Sequence, residues 1–277
     1  MNRPYLIWSP PFDESSGGIK VMHRMVVELQ KRGCEVFLNT KQQNPKRDYV
    51  PFWEDCSEPD VIAIYPEIVP GNPFNAKTVV RYLLNIPGAC APDYRSTWGY
   101  DDILYTYSKL FNTKLNLPED RVILCPHIDL DVFYDMELLR KGRMVYRGKG
   151  RQPDIPMLKD YPSLGGKESF RGDDGQQRLA ESLNRCDLLY CYDTATAMTE
   201  IARLCGCPVV LLPDCTYTWQ DYQQHEFWQS GGIGFDLLEA PLARLTINSD
   251  VMRADYQEAE KIFQKKLTEF IEVTQNG

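Results

Sequence analysis

The sequence predicts an α/β protein with two Rossmann-like domains that face a central cleft, the second domain being reduced in size. The first observation behind this prediction is the length of 277 residues, which exceeds the commonest size of a single domain. The second is the alternation of short apolar runs with amphipathic runs, which is typical of parallel sheets covered by helices. The third is the run at residues 184–213, which predicts a buried strand, a tight turn, a helix and a second buried strand.

The first predicted strand is the apolar run at residues 4–9, and a loop rich in proline, serine and glycine follows it. A helix is predicted at residues 19–29, where apolar side chains recur every three or four positions. Gly33 ends this helix, and residues 34–39 form the next strand. This order of strand, glycine-containing loop, helix, glycine and strand is a βαβ unit of a parallel sheet.

The rest of the first half continues the same alternation. Further strands are predicted at residues 61–65, 78–84, 103–106 and 122–125. After Phe133 the chain becomes polar and charged, which indicates a hinge. We therefore expect the N-terminal Rossmann-like domain to cover residues 1–137.

The second half repeats the pattern with fewer elements. A strand is predicted from residue 144, followed by a polar, glycine-rich stretch at 147–175 and a helix at 176–184. The run that contains the tight turn comes next. We expect the second Rossmann-like domain to cover residues 138–248, and a long amphipathic helix to lie within residues 249–277.

The composition is that of a globular protein, with 43% hydrophobic, 25% charged and 12% aromatic residues. The formal net charge of −8 argues against a nucleic-acid partner and against general attraction to anionic lipid, because both need a basic face. No apolar run reaches the roughly 18 residues of a membrane-spanning helix, and the N-terminus is too polar for a signal peptide. We therefore expect a cytoplasmic protein, with only peripheral membrane contact left open.

Nine cysteines are present, and most lie inside apolar runs, which favours buried, reduced thiols over disulfides. Cys205 and Cys207 are separated by one residue, whereas zinc knuckles usually have two residues between their cysteines. Neither a second cysteine pair nor a histidine cluster accompanies them. We expect neither a bound metal ion nor a cofactor.

The tight turn carries Asp193, Thr194 and Thr196, and both threonines are expected to cap the helix that follows. This arrangement places hydroxyls and main-chain N–H groups at a helix N-terminus on the carboxyl edge of a parallel sheet, where phosphate-bearing ligands bind. Arg147 and Lys149 follow the first strand of the same domain, from where they could neutralise a diphosphate. The alternative is that they are ordinary solvated charges. The sequence predicts a site for a nucleotide or a nucleotide sugar.

Four stretches together resemble glycosyltransferases of the GT-B architecture, in particular those of glycosyltransferase family 4. The first is the Gly17-Gly18 pair with the helix and strand that follow it. The other three are residues 123–134 (ILCPHIDLDVFY), 144–150 (MVYRGKG) and 193–210. Their order along the chain is stronger evidence than any one of them alone.

The resemblance implies a metal-independent enzyme that moves a sugar from a nucleotide-sugar donor to an acceptor hydroxyl, typically in polysaccharide or glycolipid assembly. The first domain would hold a carbohydrate or glycolipid acceptor and the second the donor, and the C-terminal helix would pack back on the first domain. Glu200 matches a carboxylate that binds the ribose of the nucleotide. Gly17 and Gly18 would face the donor across the cleft, although they could equally form only a tight turn.

The chain departs from the family in several respects, two of which concern the donor domain directly. Tyr192 stands eight positions before Glu200, where a second carboxylate is usual, and the second domain lacks strands between residues 150 and 176. Two other functions therefore stay open. One is a sugar-nucleotide epimerase of the same architecture, which needs no acceptor, and the other is a non-catalytic nucleotide-binding or scaffold module.

An inverting transfer requires a residue that deprotonates the acceptor hydroxyl. His127, at the end of a predicted strand, and Asp13 are the candidates for this base. A retaining transfer could instead use the donor's own phosphate. Of the other histidines, His23 is expected to be a packed or surface residue of the first helix, and His225 gives no clear signal.

Overall fold

The computed structural model describes residues 3–45, 50–150, 155–212 and 216–276, apart from the side chains of Lys167 and Glu168. Part of the predicted glycine-rich stretch, residues 151–154, lies outside the described residues. The same is true of Pro213, at the end of the predicted strand–turn–helix–strand run, and of Cys215.

The chain forms two compact units. The first consists of Met1–His127 with Ala259–Gly277, and the second is Ile128–Glu258. The predicted domain limits, after residues 137 and 248, lie inside the second unit, and they stay predictions.

The first unit contains a five-stranded sheet in which every pair of neighbouring strands is parallel. Its order is β2-β1-β3-β4-β5, formed by β1 (Tyr5–Ile7), β2 (Val36–Leu38), β3 (Ile62–Tyr65), β4 (Thr78–Leu83) and β5 (Ile103–Thr106). All five strands fall within predicted runs, since strands covered on both faces are continuous apolar runs.

The prediction of a sixth strand at residues 122–125 is wrong, because only Val122 pairs, through a single bridge to Thr106. Ile123 N donates to Thr106 O at 2.8 Å, but the next carbonyl on that side, Ser108 O, accepts from Asn112 N at 2.9 Å. Ser108 is the cap of a helix, Lys109–Leu115 (α2), so β5 has no further acceptor to offer.

Helix α1 (Gly17–Lys31) packs its apolar stripe, which includes Met22, Met25 and Leu29, into the core of the first unit. The chain leaves this helix through Gly33, whose φ of 75° is a conformation that favours glycine. The C-terminal part of the last helix, α7 (Ser249–Asn276), belongs to the same core. The side chains that α7 buries there are Phe263, Leu267 and Phe270.

The second unit contains a four-stranded parallel sheet of order β6-β7-β8-β9. Its strands are β6 (Arg143–Tyr146), β7 (Leu188–Cys191), β8 (Val209–Leu211) and β9 (Ile233–Gly234). Its helices are α3 (Asp173–Arg185), α4 (Met198–Leu204), α5 (Trp219–Tyr222), α6 (Ala240–Thr246) and the first part of α7. The two parallel sheets confirm the predicted α/β class, and the sheet of the second unit has fewer strands than that of the first.

No helix among the described residues combines the length and the apolar character that crossing a membrane requires.

Candidate functional site

Two loops meet at the carboxyl edge of the second sheet. β6 and β7 are parallel neighbours whose last residues, Tyr146 and Cys191, are paired in register. The loop after β6 carries Arg147 and Lys149, and the loop after β7 carries the turn at residues 192–197. Strand pairing therefore brings the predicted cations beside the predicted turn.

Asp193 fastens these two loops together. Its Oδ2 accepts from the main-chain N–H of Lys149 at 2.9 Å, and its Oδ1 accepts from Ala195 N at 3.1 Å. The Lys149 ammonium reaches over the same turn, donating to Ala195 O at 2.8 Å and lying 3.9 Å from Asp193 Oδ2. Only 5% of the Asp193 side chain is exposed, against 43% for Lys149. The carboxylate is thus structural, whereas the ammonium stays accessible to a ligand.

The glycines of the loop after β6 are required by this contact. Gly148 has a φ of 54°, and a Cβ at this position would lie 2.5 Å from Asp193 Oδ2. A Cβ on Gly150 would lie 2.3 Å from the carbonyl oxygen of Tyr192. The two loops can approach this closely only because both positions lack a side chain.

Arg147 is exposed, and its guanidinium carbon lies 4.6 Å from the centre of the Tyr192 ring. Tyr192 is buried, and its hydroxyl accepts from Ile155 N at 2.9 Å. At this position a second carboxylate is usual in the family that the sequence resembles. Here the side chain instead supplies a ring against which the arginine packs.

The prediction that Thr194 and Thr196 cap α4 needs correction. The helix begins at Met198, and Ala197 stands at the cap position without a side-chain hydrogen bond. Thr196 Oγ1 accepts from Met198 N at 3.3 Å, but Thr194 is buried before the helix begins. The reason is that Asp193 holds Ala195 N in a turn of its own, which delays the start of the helix.

Thr196 also lies close to the neighbouring strand. Burial raises the pKa of Tyr146, the last residue of β6, to about 12, and the nearby Thr196 side chain partly opposes this effect. Arg147, Lys149, Asp193, Thr194 and Thr196 therefore all lie on the two loops that meet at this edge.

Glu200 lies in the first turn of α4. Its Oε1 accepts from His225 Nε2 at 2.8 Å, and its Oε2 accepts from Thr199 Oγ1 at 3.0 Å. The side chain keeps 12% of its surface exposed. Burial by itself raises the pKa of the Glu200 carboxyl, but the hydrogen bond from His225 and the charge of Arg203 outweigh it and hold the pKa below its usual value.

Sequence reasoning missed His225 as a partner of Glu200. The histidine follows α5, in the segment between β8 and β9, and only the tertiary fold brings it to α4. Its local sequence of glutamines and aromatics carries no signal of this contact.

The other four predicted residues belong to the first unit. Gly17 and Gly18 are the first residues of α1, and neither has a positive φ, so they start a helix rather than form a separate loop. Asp13 Oδ1 accepts from Ser15 N at 2.9 Å and from Ser15 Oγ at 2.6 Å, which fixes the turn that leads into α1. His127, the last residue of the N-terminal segment of this unit, has its Nδ1 3.2 Å from Tyr107 Oη.

Within the described ranges, no three histidine, cysteine, aspartate or glutamate side chains are grouped so that they could hold a metal ion.

Comparison with known proteins supports a fold assignment. No family model and no curated protein matches the sequence. The crystal structure of AviGT4, a glycosyltransferase involved in avilamycin A biosynthesis, is similar with a TM-score of 0.55 and 12% identity, covering 99% of this chain and 98% of that chain. That of WaaG, a glycosyltransferase involved in lipopolysaccharide biosynthesis, gives a TM-score of 0.48 and 13% identity over 99% and 100% of the two chains. With two α/β units, each built on a sheet of parallel strands, the chain has the GT-B fold of two Rossmann-like domains.

Proposed function

We propose that this chain is a glycosyltransferase that moves a sugar from a nucleotide-sugar donor to an acceptor hydroxyl. The observation that carries the proposal is the junction of the loops after β6 and β7, where Asp193 fastens the loop that bears Lys149. That junction holds an accessible ammonium and an exposed guanidinium at the carboxyl edge of a parallel sheet, the edge at which such folds bind nucleotides.

The two cations suit the diphosphate of the donor. Breaking the bond between the sugar and the phosphate leaves a nucleoside diphosphate, whose negative charge grows in the transition state. Lys149 Nζ has three N–H donors, one of which goes to Ala195 O, and Arg147 presents a planar fork of donors. Positioned by the hydrogen bond of Lys149 to Ala195 O and by the contact of Arg147 with the Tyr192 ring, these groups would stabilise the leaving group without a metal ion.

Glu200 suits the ribose of the same nucleotide. A carboxylate has roughly four acceptor positions, of which His225 and Thr199 each occupy one, and the main-chain N–H of Glu200 itself makes a weaker contact that also lowers the pKa. The positions that His225 and Thr199 leave open on Oε1 and Oε2 would accept from the two vicinal hydroxyls of a ribose. The lowered pKa of Glu200 keeps the side chain in the accepting, ionised form at neutral pH.

The first unit would hold a carbohydrate or glycolipid acceptor. Among the base candidates we favour His127 over Asp13, because Asp13 Oδ1 is occupied by two hydrogen bonds from Ser15. The donor's own phosphate is the base if the transfer retains configuration. We propose a cytoplasmic role in polysaccharide or glycolipid assembly, with contact to the membrane surface where the acceptor is a lipid.

A second candidate function is a nucleotide-binding module without catalysis. It is favoured by Tyr192, whose hydroxyl is occupied by Ile155 N at the position where a carboxylate is usual in the family. A sugar-nucleotide epimerase would share the donor site and need no acceptor. Analysis of the products separates the three functions: net transfer of the sugar, conversion of the free sugar nucleotide, or neither.

The first experiment is a thermal-shift screen with the diphosphates of uridine, guanosine, adenosine, cytidine and thymidine. A diphosphate present at about 100 times its Kd adds about 2.7 kcal/mol to the free energy of unfolding, which makes a specific ligand stand out. The diphosphate that stabilises the protein is then titrated by calorimetry. If none of the five stabilises it, the proposal of a nucleotide-sugar donor fails.

The Lys149→Ala variant tests the diphosphate contact. We expect about a tenfold weaker affinity, or about 1.4 kcal/mol, and a larger loss in turnover because the charge of the leaving group grows during the reaction. Lys159→Ala is the matched control, since Lys159 is an exposed lysine of the same unit. Equal affinities of the two variants would exclude Lys149 from the site.

A further inference from the structure

We infer that His225 is the positioning residue for Glu200, orienting its carboxylate so that the free acceptor positions bind both hydroxyls of a vicinal diol. The inference rests on the proposed function and names the part of the nucleotide, its ribose, that this corner of the site recognises. His225 itself touches no ligand in this scheme and acts through Glu200.

The hydrogen bonds of the imidazole fix its tautomer. Phe227 N donates to Nδ1 at 3.2 Å, which leaves the ring proton on Nε2. Nε2 then donates to Glu200 Oε1 at 2.8 Å. The histidine therefore donates a hydrogen bond to the carboxylate. It fills one acceptor position of Glu200 Oε1 and leaves the other position of that oxygen open.

The orientation of the ring is fixed by its neighbours. The Tyr222 ring stacks on the imidazole at a centroid distance of 5.3 Å and an interplanar angle of 9°. Tyr222 Oη lies 3.5 Å from Thr199 Oγ1, which donates to Glu200 Oε2 at 3.0 Å. The contacts run from Glu200 through His225, Tyr222 and Thr199 back to Glu200, and the Thr199 hydroxyl also lies 3.0 Å from Thr196 O, so its one proton serves two acceptors. Rotation of the carboxylate would break the hydrogen bond from His225.

Arg203 also connects α4 with the segment that carries His225. Its Nε donates to Thr199 O on α4 at 3.2 Å, and its Nη1 donates to Phe227 O at 2.8 Å. The side chain is fully buried, and its positive charge lies close enough to favour the ionised form of Glu200. The segment that carries His225 is thus fastened to the helix that carries Glu200.

Stability alone is a poor reason for this arrangement. A buried pair of polar groups stabilises a fold no better than a well-packed apolar pair of similar volume. This pair is also incompletely buried, because 12% of the Glu200 side chain remains exposed on the turn of α4 that follows Thr196. A carboxylate that is oriented by hydrogen bonds on both oxygens, in a side chain that keeps part of its surface exposed, is suited to accept further hydrogen bonds from a ligand.

The test compares a ribose with the same ribose lacking its hydroxyls. The probes are the ribonucleoside diphosphate that binds best in the thermal-shift screen and its 2′,3′-dideoxy counterpart, both titrated by calorimetry. We expect the wild-type protein to bind the ribose form at least tenfold more tightly, because unmet acceptors in the site penalise the dideoxy form.

The variants separate the donor function of His225 from its volume. In His225→Gln the amide nitrogen takes the place of Nε2, and we expect the preference for ribose to stay within about threefold of wild type. His225→Asn is too short to reach Glu200, and His225→Leu has no donor, so in both we expect ribose affinity to fall about tenfold while dideoxy affinity changes little. Gln224→Ala, at the exposed neighbouring position, should change neither affinity.

The outcomes distinguish the inference from the proposed function. If His225→Asn and His225→Leu keep the wild-type preference, or lose both affinities equally, His225 does not position Glu200. If the wild-type protein binds none of the diphosphates, the proposed function fails first. Circular dichroism and thermal unfolding show which variants fold, and either His225→Asn or His225→Leu is sufficient for the comparison.

Discussion

The Asp193 carboxylate accepts a hydrogen bond from the main-chain N–H of Lys149 across 2.9 Å, and so links the loops that follow two neighbouring strands. The same carboxylate holds Ala195 N at 3.1 Å, which shapes its own turn. One buried side chain thereby sets both the position of the Lys149 ammonium and the path of the chain into α4. The accessible cation of the candidate site depends on a residue that is itself hidden from ligands.

We expect Asp193→Ala to destabilise the protein by about 2 kcal/mol, since it leaves two main-chain N–H donors without their acceptor. Binding of the nucleoside diphosphate should weaken as well, because the loop that carries Lys149 is no longer fastened. Asp174→Ala, at an exposed position of the same unit, should stay within about 0.5 kcal/mol of wild type. Urea denaturation and calorimetry measure the two effects. Equal stability of the two variants would show that Asp193 does not hold the two loops together.

Gly148 and Gly142 flank the same strand, and both have a positive φ, of 54° and 78°. A Cβ on Gly142 meets nothing within 4 Å, whereas on Gly148 it would lie 2.5 Å from Asp193 Oδ2. Both alanine variants carry the strain of a positive φ, but only Gly148→Ala also forces Asp193 aside. We expect Gly148→Ala to cost about 2 kcal/mol more than Gly142→Ala. Gly148→Ala should also abolish diphosphate binding, while Gly142→Ala should retain it, and a similar loss in both would contradict the close packing of the two loops.

The apolar runs of the sequence were sufficient to predict the strands of both parallel sheets except the shortest. β9 (Ile233–Gly234) has two residues and lies among glycines, so it forms no apolar run from which a strand could be predicted. The strand predicted at residues 122–125 had the right composition but forms only a single bridge, from Val122 to Thr106, because Ser108 O is used by α2. Composition reports which segments can be strands, and the neighbouring chain decides which of them pair.

The candidate site could likewise be predicted only in part from the sequence. Arg147, Lys149 and Asp193 directly follow buried strands, and adjacent parallel strands bring such residues together. The hydrogen bond between Glu200 and His225 could not be predicted, since it joins two segments whose approach depends on the packing of the second unit. The structural role of Asp193 could not be predicted either, because a carboxylate in a turn is equally compatible with binding a ligand.

The buried ion pair of Arg81 and Asp102 gives a prediction for the free energy of unfolding of the protein. Arg81 Nε lies 2.7 Å from Asp102 Oδ2, and the exposed fractions of the two side chains are 0% and 8%. Asp102→Asn removes the negative charge and leaves a buried guanidinium, which we expect to cost about 3 kcal/mol. Asp101→Asn, at the exposed neighbouring position, should cost less than about 0.5 kcal/mol. The urea midpoints of the two variants give the comparison, and similar midpoints would mean that solvent compensates the charge of Arg81.

His23 provides a prediction for the dependence of stability on pH. It lies on α1 with 7% of its surface exposed, its Nε2 is 3.4 Å from Pro10 O, and the Phe12 ring meets it edge-on at 5.2 Å. Burial lowers the pKa of His23, and the hydrogen bond to the Pro10 carbonyl only partly opposes this effect. The folded state therefore takes up a proton on His23 at a lower pH than the unfolded state does.

Between the usual histidine pKa of about 6.5 and the lower pKa in the folded protein, the unfolded state binds more protons, so the free energy of unfolding falls as the pH falls. His23→Gln keeps a hydrogen-bond donor near Pro10 and does not titrate. We expect the stability advantage of the wild-type protein over His23→Gln to be largest at pH 7 to 8 and to shrink as the pH is lowered from about 6.5 towards 5. Urea denaturation at each pH gives the difference, in which the contributions of the other two histidines cancel. A difference that stays constant or grows with acidification would show that His23 is protonated as easily in the folded protein as in the unfolded chain.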